Sequence, residues 1–335
     1  MTTKKITLSA AALLMVAALA GCSGNTSSTS SSAADNSSAA GADSSAADNS
    51  SAAGADSSAA DSTAADGTTA SKLDTDITVV SREDGSGTRG AFVELMGIEQ
   101  KNESGEKEDM TRGDAEISNS TNGVMMSVAG NVDAIGYISL GSLNDTVKAL
   151  DVNGVECSVD DIKSGDYVVA RPFNVCYQQA KLDGNAAAKD LISFIESDDG
   201  QKIISDNGYI SIESKGAYTP SGVSGAISLN GSTSVGPIME KLCEAYKNLN
   251  PDVSIDIQQT GSGAGITSAT EGTCDIGMSS RELKQEELDA GLTEMKIADD
   301  GIAVIVNLEN PIENITSDEI MKIYTGEINN WSELG

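Results

Sequence analysis

Histidine is absent from the 335 residues of this sequence. Its absence excludes histidine-dependent catalytic triads, histidine general bases and His-containing zinc sites, and it argues against most hydrolases. Aromatic residues make up only 3% of the chain, so no stacking platform for sugars or bases is visible. Basic residues are also scarce, because 21 Lys and Arg face 51 Asp and Glu and the formal net charge is -30. That charge repels nucleic acids and anionic membranes, so an anion site in this chain must act locally.

The five cysteines show no C-x-x-C spacing, which leaves no support for a zinc ribbon or a thioredoxin-type redox motif. We predict that four of them are buried as small apolar residues: Cys157, Cys176, Cys243 and Cys274. A disulfide between two of these four is the open alternative outside the cytoplasm, and the sequence does not name a pair.

The first 22 residues resemble a bacterial lipoprotein signal. Lys4 and Lys5 precede the apolar run Ile6–Leu19, which is short for a bilayer span, and the run ends in Leu-Ala-Gly-Cys22. The resemblance implies that residues 1–22 are a signal peptide and that Cys22 is lipidated. The protein is then extracytoplasmic, anchored by acyl chains to the outer face of the cell membrane. An ordinary signal peptide with a chance cysteine is the alternative.

Residues 23–76 are predicted to form a disordered Ser/Ala/Asp-rich tether. The block SSAADNSSAAGAD occurs at residues 31–43 and again at 44–56. A segment without large apolar side chains does not recover the conformational entropy that ordering costs. A folded solenoid is the sharper alternative, but a repeat with no apolar face to bury does not stack.

Beyond Thr75 the pattern predicts an α/β fold. Strand-like apolar runs alternate with helix-like stretches such as Ala186–Glu196 and Pro237–Leu249. In the second stretch Ile238, Leu242, Tyr246 and Leu249 share one helical face. The strand-like runs are Ile77–Val80, Ala134–Ile138, Tyr167–Ala170, Ala226–Leu229, Val253–Ile257 and Ile302–Val306.

Four hydroxyl-rich loops each follow a predicted strand, and most of them open a helix. They are Arg82–Arg89, Gly231–Pro237, Thr260–Gly265 and Asp275–Arg281. The start of a helix presents unpaired N–H groups and the positive end of the helix dipole, and Ser and Thr add hydroxyl donors. If the four loops converge, they form a site for a tetrahedral oxyanion.

Five motifs resemble those of the phosphate-binding lipoproteins of bacterial phosphate ABC transporters, which are type II periplasmic binding proteins. The motifs are SREDGSGTRGAF (81–92), NGSTSVGP (230–237), GSGAGI (261–266), CDIGMSSREL (274–283) and IYTGEINNWSELG (323–335). The resemblance implies a two-lobed periplasmic-binding-protein type II fold, with lobes of mixed sheet flanked by helices. It implies a monomer that captures inorganic phosphate between the lobes and delivers it to the permease. It also implies no cofactor, no metal, no nucleic-acid partner and no catalysis.

Matched position by position, the resemblance implies that Arg82 forms an ion pair with phosphate and is oriented by Asp84. Many family members carry an aspartate that accepts the proton of monohydrogen phosphate, and this sequence has Ser280 there, followed by Arg281. Whether Arg281 points into the site or toward a neighbouring carboxylate stays open. The phosphate-binding residues implied in full are Arg82, Ser86, Gly87, Thr88, Thr233, Ser234, Ser262 and Ser280.

The motifs occur in a circularly permuted order relative to the family. Residues 77–212 match the family's later half, which is the second lobe and the return to the first lobe. Residues 226–335 match its earlier half, which is the first lobe, and residues 213–225 are predicted to join the two segments. Such joints are tolerated where chain ends lie close together. We expect one remaining covalent crossing between the lobes, between about Tyr137 and Arg171. A fragment of a tandem duplication is the alternative.

Three other functions are alternatives to phosphate transport. A binding protein for sulfate or molybdate keeps the fold and changes the ligand, and a non-transport phosphate sensor or surface protein keeps the ligand. An enzyme is the third, because Asp84-Gly85-Ser86 superficially resembles the nucleophile motif of alkaline phosphatases. The absence of histidine argues against that reading, since none is present to bind metals or act as a base.

Overall fold

The computed structural model describes residues 73–102 and 104–335. The predicted signal peptide, Cys22 and residues 23–72 of the predicted tether lie outside the described residues. The strands are β1 (Thr78–Arg82), β2 (Glu99–Lys101), β3 (Lys107–Asp109), β4 (Glu116–Ser118), β5 (Ala134–Ser139), β6 (Lys148–Ala149), β7 (Asp151–Val152), β8 (Ala170–Gln178), β9 (Ile210–Ser211), β10 (Gly225–Gly231), β11 (Val253–Gln259), β12 (Ile276–Ser279), β13 (Leu292–Val306) and β14 (Asn314–Ile315). The α-helices are α1 (Gly87–Leu95), α2 (Thr121–Ala129), α3 (Val159–Ser164), α4 (Gln179–Gly184), α5 (Ala186–Ile195), α6 (Asp198–Asp206), α7 (Gly236–Leu249), α8 (Ser262–Glu271), α9 (Gln285–Asp289) and α10 (Ser317–Thr325).

Two large hydrophobic cores organise these elements. The first core draws its buried side chains from residues 77–169 and 302–334. The second core draws its buried side chains from residues 173–298. Each core forms because helices bury one face against a sheet whose central strands, such as β5 and β12, are buried along their whole length. In α7, for example, Ile238, Leu242 and Tyr246 are fully buried, whereas Leu249, predicted for the same face, is 44% exposed.

Mixed sheets pass through both cores. In the first, β5, β1 and β4 are parallel and β13 joins β5 antiparallel. In the second, β11, β10 and β12 are parallel and β8 joins β12 antiparallel. The antiparallel pair β8 and β13 links the two sheets into one hydrogen-bonded path, from Leu292 opposite Gln178 to Gly301 opposite Ala170. The predicted mixed α/β fold with flanking helices is confirmed.

The chain passes between the cores twice. One passage follows β8 near Arg171, at the end of the range predicted for a single crossing, and the other follows β13 near Asp300. The prediction of only one covalent crossing is therefore wrong. Residues 226–335, predicted to form one lobe, are divided between the cores at this second passage. The reason is the length of β13, which runs through 15 residues and reaches both cores.

Residues 73–76 were predicted as the end of the disordered tether, and the structure holds them against the first core instead. Leu73 packs against that core, and the carbonyl of Thr75 accepts a hydrogen bond from Trp331 N–H at 3.0 Å. The N–H of Ile77 donates to the Asn329 carbonyl at 2.8 Å. This proximity between the segment before β1 and the segment after α10 is what a circular permutation requires. The permutation and the joint at 213–225 stay predictions.

The predicted strand Tyr167–Ala170 is wrong except for its last residue, because β8 begins only at Ala170. Among the described residues, no helix is long and apolar enough to cross a membrane.

The four cysteines predicted to be buried are buried, and all four are free: Cys157, Cys176, Cys243 and Cys274.

Candidate functional site

The first predicted loop lies where β1 ends and α1 begins. Arg82 is the last residue of β1 and is only 2% exposed, and its N–H donates to the Tyr137 phenol oxygen at 3.2 Å. The hydroxyl of Ser86 caps α1 by accepting a backbone N–H of the first turn at 3.3 Å. Gly87 and Thr88 follow as buried residues of that turn. The guanidinium of Arg82 and the start of a helix are thus placed in one small region.

The other predicted loops belong to the second core, and their hydroxyl groups are buried as well. Thr233 and Ser234 precede α7, Ser262 begins α8 and Ser280 directly follows β12. Their exposed fractions range from 1% to 6%. Because β10, β11 and β12 are parallel, the loops that follow them emerge at the same edge of the sheet.

Hydrogen bonds bring the loops of the two cores together. Thr88 Oγ1 lies 2.9 Å from Ser234 Oγ. Arg82 donates a hydrogen bond from Nη2 to Thr233 Oγ1 at 3.0 Å. Ser262 Oγ lies 3.3 Å from Ser280 Oγ and accepts the Ser280 N–H at 3.1 Å.

Gly87 connects this second pair of serines to the first loop. A Cβ atom placed on Gly87 lies 2.5 Å from Ser262 Oγ and 2.7 Å from Ser280 Oγ, so the absence of a side chain allows the approach. Seven of the eight predicted residues therefore form one buried group, and Ser86 adjoins it. We call the eight residues the hydroxyl cluster: Arg82, Ser86, Gly87, Thr88, Thr233, Ser234, Ser262 and Ser280.

The carboxylate that orients Arg82 is Glu83, and the prediction of Asp84 for this role is wrong. Arg82 donates from Nε to Glu83 Oε2 at 2.8 Å and from Nη2 to Glu83 Oε1 at 2.9 Å. The Asp84 side chain is 98% exposed and pairs with Arg89 at 3.0 Å. The Ser86 N–H donates to the Glu83 carbonyl at 3.1 Å, so a tight turn starts directly after β1 and directs Asp84 to solvent.

Arg281 points toward a neighbouring carboxylate. Its two terminal nitrogens donate to both carboxylate oxygens of Glu287, at 2.9 Å and 2.8 Å. Arg281 also lines a cavity of about 770 Å³ that reaches Ser86 and Arg171 at the border between the cores. Its positive charge therefore lies along the cavity that leads to these residues, while its side chain donates hydrogen bonds to Glu287.

Comparison with known proteins gives a consistent result. A model of the PBP superfamily domain matches residues 60–199 and 216–335. Phosphate-binding protein PstS 2 of Streptococcus agalactiae serotype V is 47% identical over 258 residues, which cover 77% of this chain and 87% of the relative. The chain belongs to the PstS family of phosphate-binding proteins. The expected type II periplasmic-binding-protein fold is thereby confirmed.

Two further relatives of the PstS family come from Streptococcus pneumoniae. Phosphate-binding protein PstS 2 of serotype 4 is 48% identical over 261 residues, covering 77% of this chain and 87% of the relative. The crystal structure of a phosphate-binding protein of a phosphate ABC transporter from strain TIGR4 is 47% identical, with a TM-score of 0.62. That match covers 78% of this chain and 100% of the crystallised chain.

Thr121 is a residue of the site that sequence reasoning missed in this PstS-family chain. It is the first residue of α2, is 4% exposed, and its Oγ1 lies 3.3 Å from Thr233 Oγ1 and 3.2 Å from Ser234 Oγ. The signal was present, because Ser118-Asn119-Ser120-Thr121 repeats the design of a hydroxyl-rich loop between a strand and a helix. The sequence does not mark this loop clearly, because the strand before it, β4, has only three residues and no continuous apolar run.

The chemistry of the cluster is that of hydrogen-bond donation. Hydroxyls, backbone N–H groups and one guanidinium suit an oxyanion, and charge-assisted bonds of this kind contribute about 1.5–3 kcal/mol each.

Burial raises the pKa of Cys157, Cys176 and Cys243 to about 12, so these thiols stay protonated at neutral pH. Within residues 73–102 and 104–335, no group of three or more His, Cys, Asp and Glu residues is placed to hold a metal ion.

Proposed function

We propose that this protein captures inorganic phosphate between its two cores and delivers it to the permease of an ABC transporter. The observation that carries the proposal is the convergence of Arg82 with Thr88, Thr233 and Ser234 in one buried group drawn from both cores. Its streptococcal relatives are named as phosphate-binding proteins. A ligand that bonds groups of both cores at once favours the arrangement in which the cores are in contact.

The phosphate site combines one cation with several helix starts. The N-termini of α1, α2 and α8 carry Gly87, Thr121 and Ser262, and the positive end of each helix dipole favours an anion. Because the net charge of the chain is -30, long-range attraction does not gather the ligand, and affinity comes from these short bonds.

The protein is located on the outer face of the cell membrane, where the acyl chains on Cys22 are its only contact with the bilayer. It acts there as a monomer. Residues 23–72 then connect the anchor to the binding unit. Mass spectrometry of the protein from its own cell surface tests the anchor, since a diacylated or triacylated Cys22 peptide is expected and an unmodified one contradicts it.

Calorimetric titration of the chain that begins after Cys22 tests the binding function. We expect saturable binding of phosphate and of arsenate, which has the same shape and charge. The absence of a phosphate isotherm contradicts the proposal. Turnover of p-nitrophenyl phosphate would instead indicate the enzyme that the sequence argues against.

Sulfate is expected to compete with phosphate at millimolar concentration. Ser280 both donates and accepts hydrogen bonds, whereas a carboxylate at this position repels fully ionised sulfate and accepts the proton of monohydrogen phosphate. In Ser280→Asp, sulfate competition should fall about tenfold or more while phosphate still binds. Competition calorimetry measures both ligands.

The control for this test is Ser254→Asp, which adds the same charge at an exposed position of β11. It should leave the ratio of sulfate to phosphate affinity unchanged. If wild-type protein shows no detectable sulfate competition at millimolar levels, Ser280 is not what sets this selectivity. The phosphate proposal itself is judged by the direct titration.

A further inference from the structure

Arg171 is a buried cation beside the hydroxyl cluster. It lies on β8 where the chain passes from the first core to the second, and it is 3% exposed. Its Nη1 donates to the Ser280 carbonyl and its Nη2 to Asp300 Oδ2, both at 3.3 Å. Its Nε has no hydrogen-bond partner among the described residues. Burial, more than the nearby charge of Arg82, lowers the pKa of Arg171 to about 10, so it remains a cation at neutral pH.

Asp300 continues the same line of contacts into the first core. It is directly opposite Arg171 in the pairing of β8 with β13 and is fully buried. Its Oδ1 accepts the Ser139 hydroxyl at 2.9 Å and the Gly141 N–H at 3.4 Å. Ser139 is the last residue of β5, which belongs to the first core. A chain of buried hydrogen bonds thus runs from the Ser280 loop, through both strands that join the cores, to β5.

We infer that Arg171 is a positioning residue for phosphate binding, holding the Ser280 loop to the two strands that join the cores. The inference rests on the proposed function. Ser280 bonds Ser262 through its hydroxyl and its N–H, and Arg171 holds its carbonyl. Fixing the carbonyl restricts rotation of the Ser280 backbone, so the hydroxyl stays directed toward Gly87 and Ser262. A charged hydrogen bond in a buried setting is strong enough for this role.

Arg171→Gln is expected to weaken phosphate binding about tenfold, because it removes a charged bond to the Ser280 carbonyl. The matched control is Lys148→Gln. Lys148 also bonds one carboxylate and one carbonyl, Glu313 at 2.7 Å and Asn310 at 2.6 Å, but it lies away from the cluster. It should leave the phosphate Kd unchanged. Calorimetry at a temperature where both variants are folded measures the difference.

A double-mutant cycle with Ser280→Ala separates positioning from general stability. If Arg171 acts through Ser280, Arg171→Gln should cost less than about threefold in the Ser280→Ala background. The phosphorus NMR shift of bound phosphate should also move in Arg171→Gln and not in the control. Equal phosphate affinity in Arg171→Gln and wild type, or additive losses in the cycle, overturns the inference. A wild-type protein that binds no phosphate overturns the proposed function instead.

Asp300→Asn provides the same test if Arg171→Gln does not fold. It releases Arg171 from β13 while preserving the shape of the side chain and the hydroxyl contact of Ser139. We expect weaker phosphate binding that is again non-additive with Ser280→Ala. Unchanged affinity in Asp300→Asn contradicts a role for this pair in positioning the Ser280 loop.

Discussion

Replacing Arg82 by alanine is expected to weaken phosphate binding about a hundredfold, close to 3 kcal/mol, because it removes the buried partner of an anion. Arg82 is 2% exposed and also donates to Thr233 at 3.0 Å and to the Ser118 carbonyl at 3.2 Å. Its loss therefore removes a ligand charge and one of the hydrogen bonds that join the first loop to the second core, while the contact of Thr88 with Ser234 remains. Calorimetric titration with phosphate and arsenate measures the change, and both ligands should lose affinity alike.

Arg112→Ala is the matched control for this experiment. Arg112 bonds Asp114 through Nε at 2.6 Å and Nη2 at 2.8 Å, as Arg82 bonds Glu83, but it makes no contact with the cluster. Its removal should leave phosphate affinity within about twofold of wild type. A phosphate Kd for Arg82→Ala that is equally close to wild type contradicts the role of Arg82 as an anion ligand.

Much of the site was predictable because its residues carry local signals. A strand end, adjacent hydroxyl groups and a helix start lie within a few residues in each loop, and parallel strands bring such loops to one edge. The contact between Thr88 and Ser234 follows once two such loops, one from each core, face each other. The same local pattern is present at Thr121, but the strand before this loop, β4, is too short to be recognised from the sequence.

The rest depends on contacts that spacing in the sequence does not indicate. Arg171 and Asp300 are 129 positions apart, and their pairing follows from the register of two long antiparallel strands. Glu83 and Asp84 are adjacent acids, and only the turn after β1 decides which of them reaches Arg82. The sequence pattern identified β13 only by its apolar end, Ile302–Val306, because its first half alternates with polar residues and extends into the second core.

Replacing Gly87 by alanine is expected to reduce phosphate affinity at least tenfold by holding the two cores apart. The added Cβ lies within 2.7 Å of both Ser262 Oγ and Ser280 Oγ, which are held by buried loops of the second core. Gly87 begins α1, so alanine is otherwise favourable there and the first core should keep its stability. Small-angle scattering at saturating phosphate should show a larger radius of gyration than for wild type.

Gly90→Ala distinguishes a steric effect at the cluster from any effect on α1 itself. Gly90 lies one turn along the same helix, and a Cβ there meets only the Arg281 Cδ, at an ordinary 3.7 Å. This variant should bind phosphate as wild type does, with an equal or slightly higher melting temperature. If Gly87→Ala and Gly90→Ala bind phosphate equally well, the close approach at Gly87 does not limit closure of the site. If only Gly87→Ala has both a lower phosphate affinity and a larger radius of gyration, phosphate binding requires the close contact between α1 and the two serines.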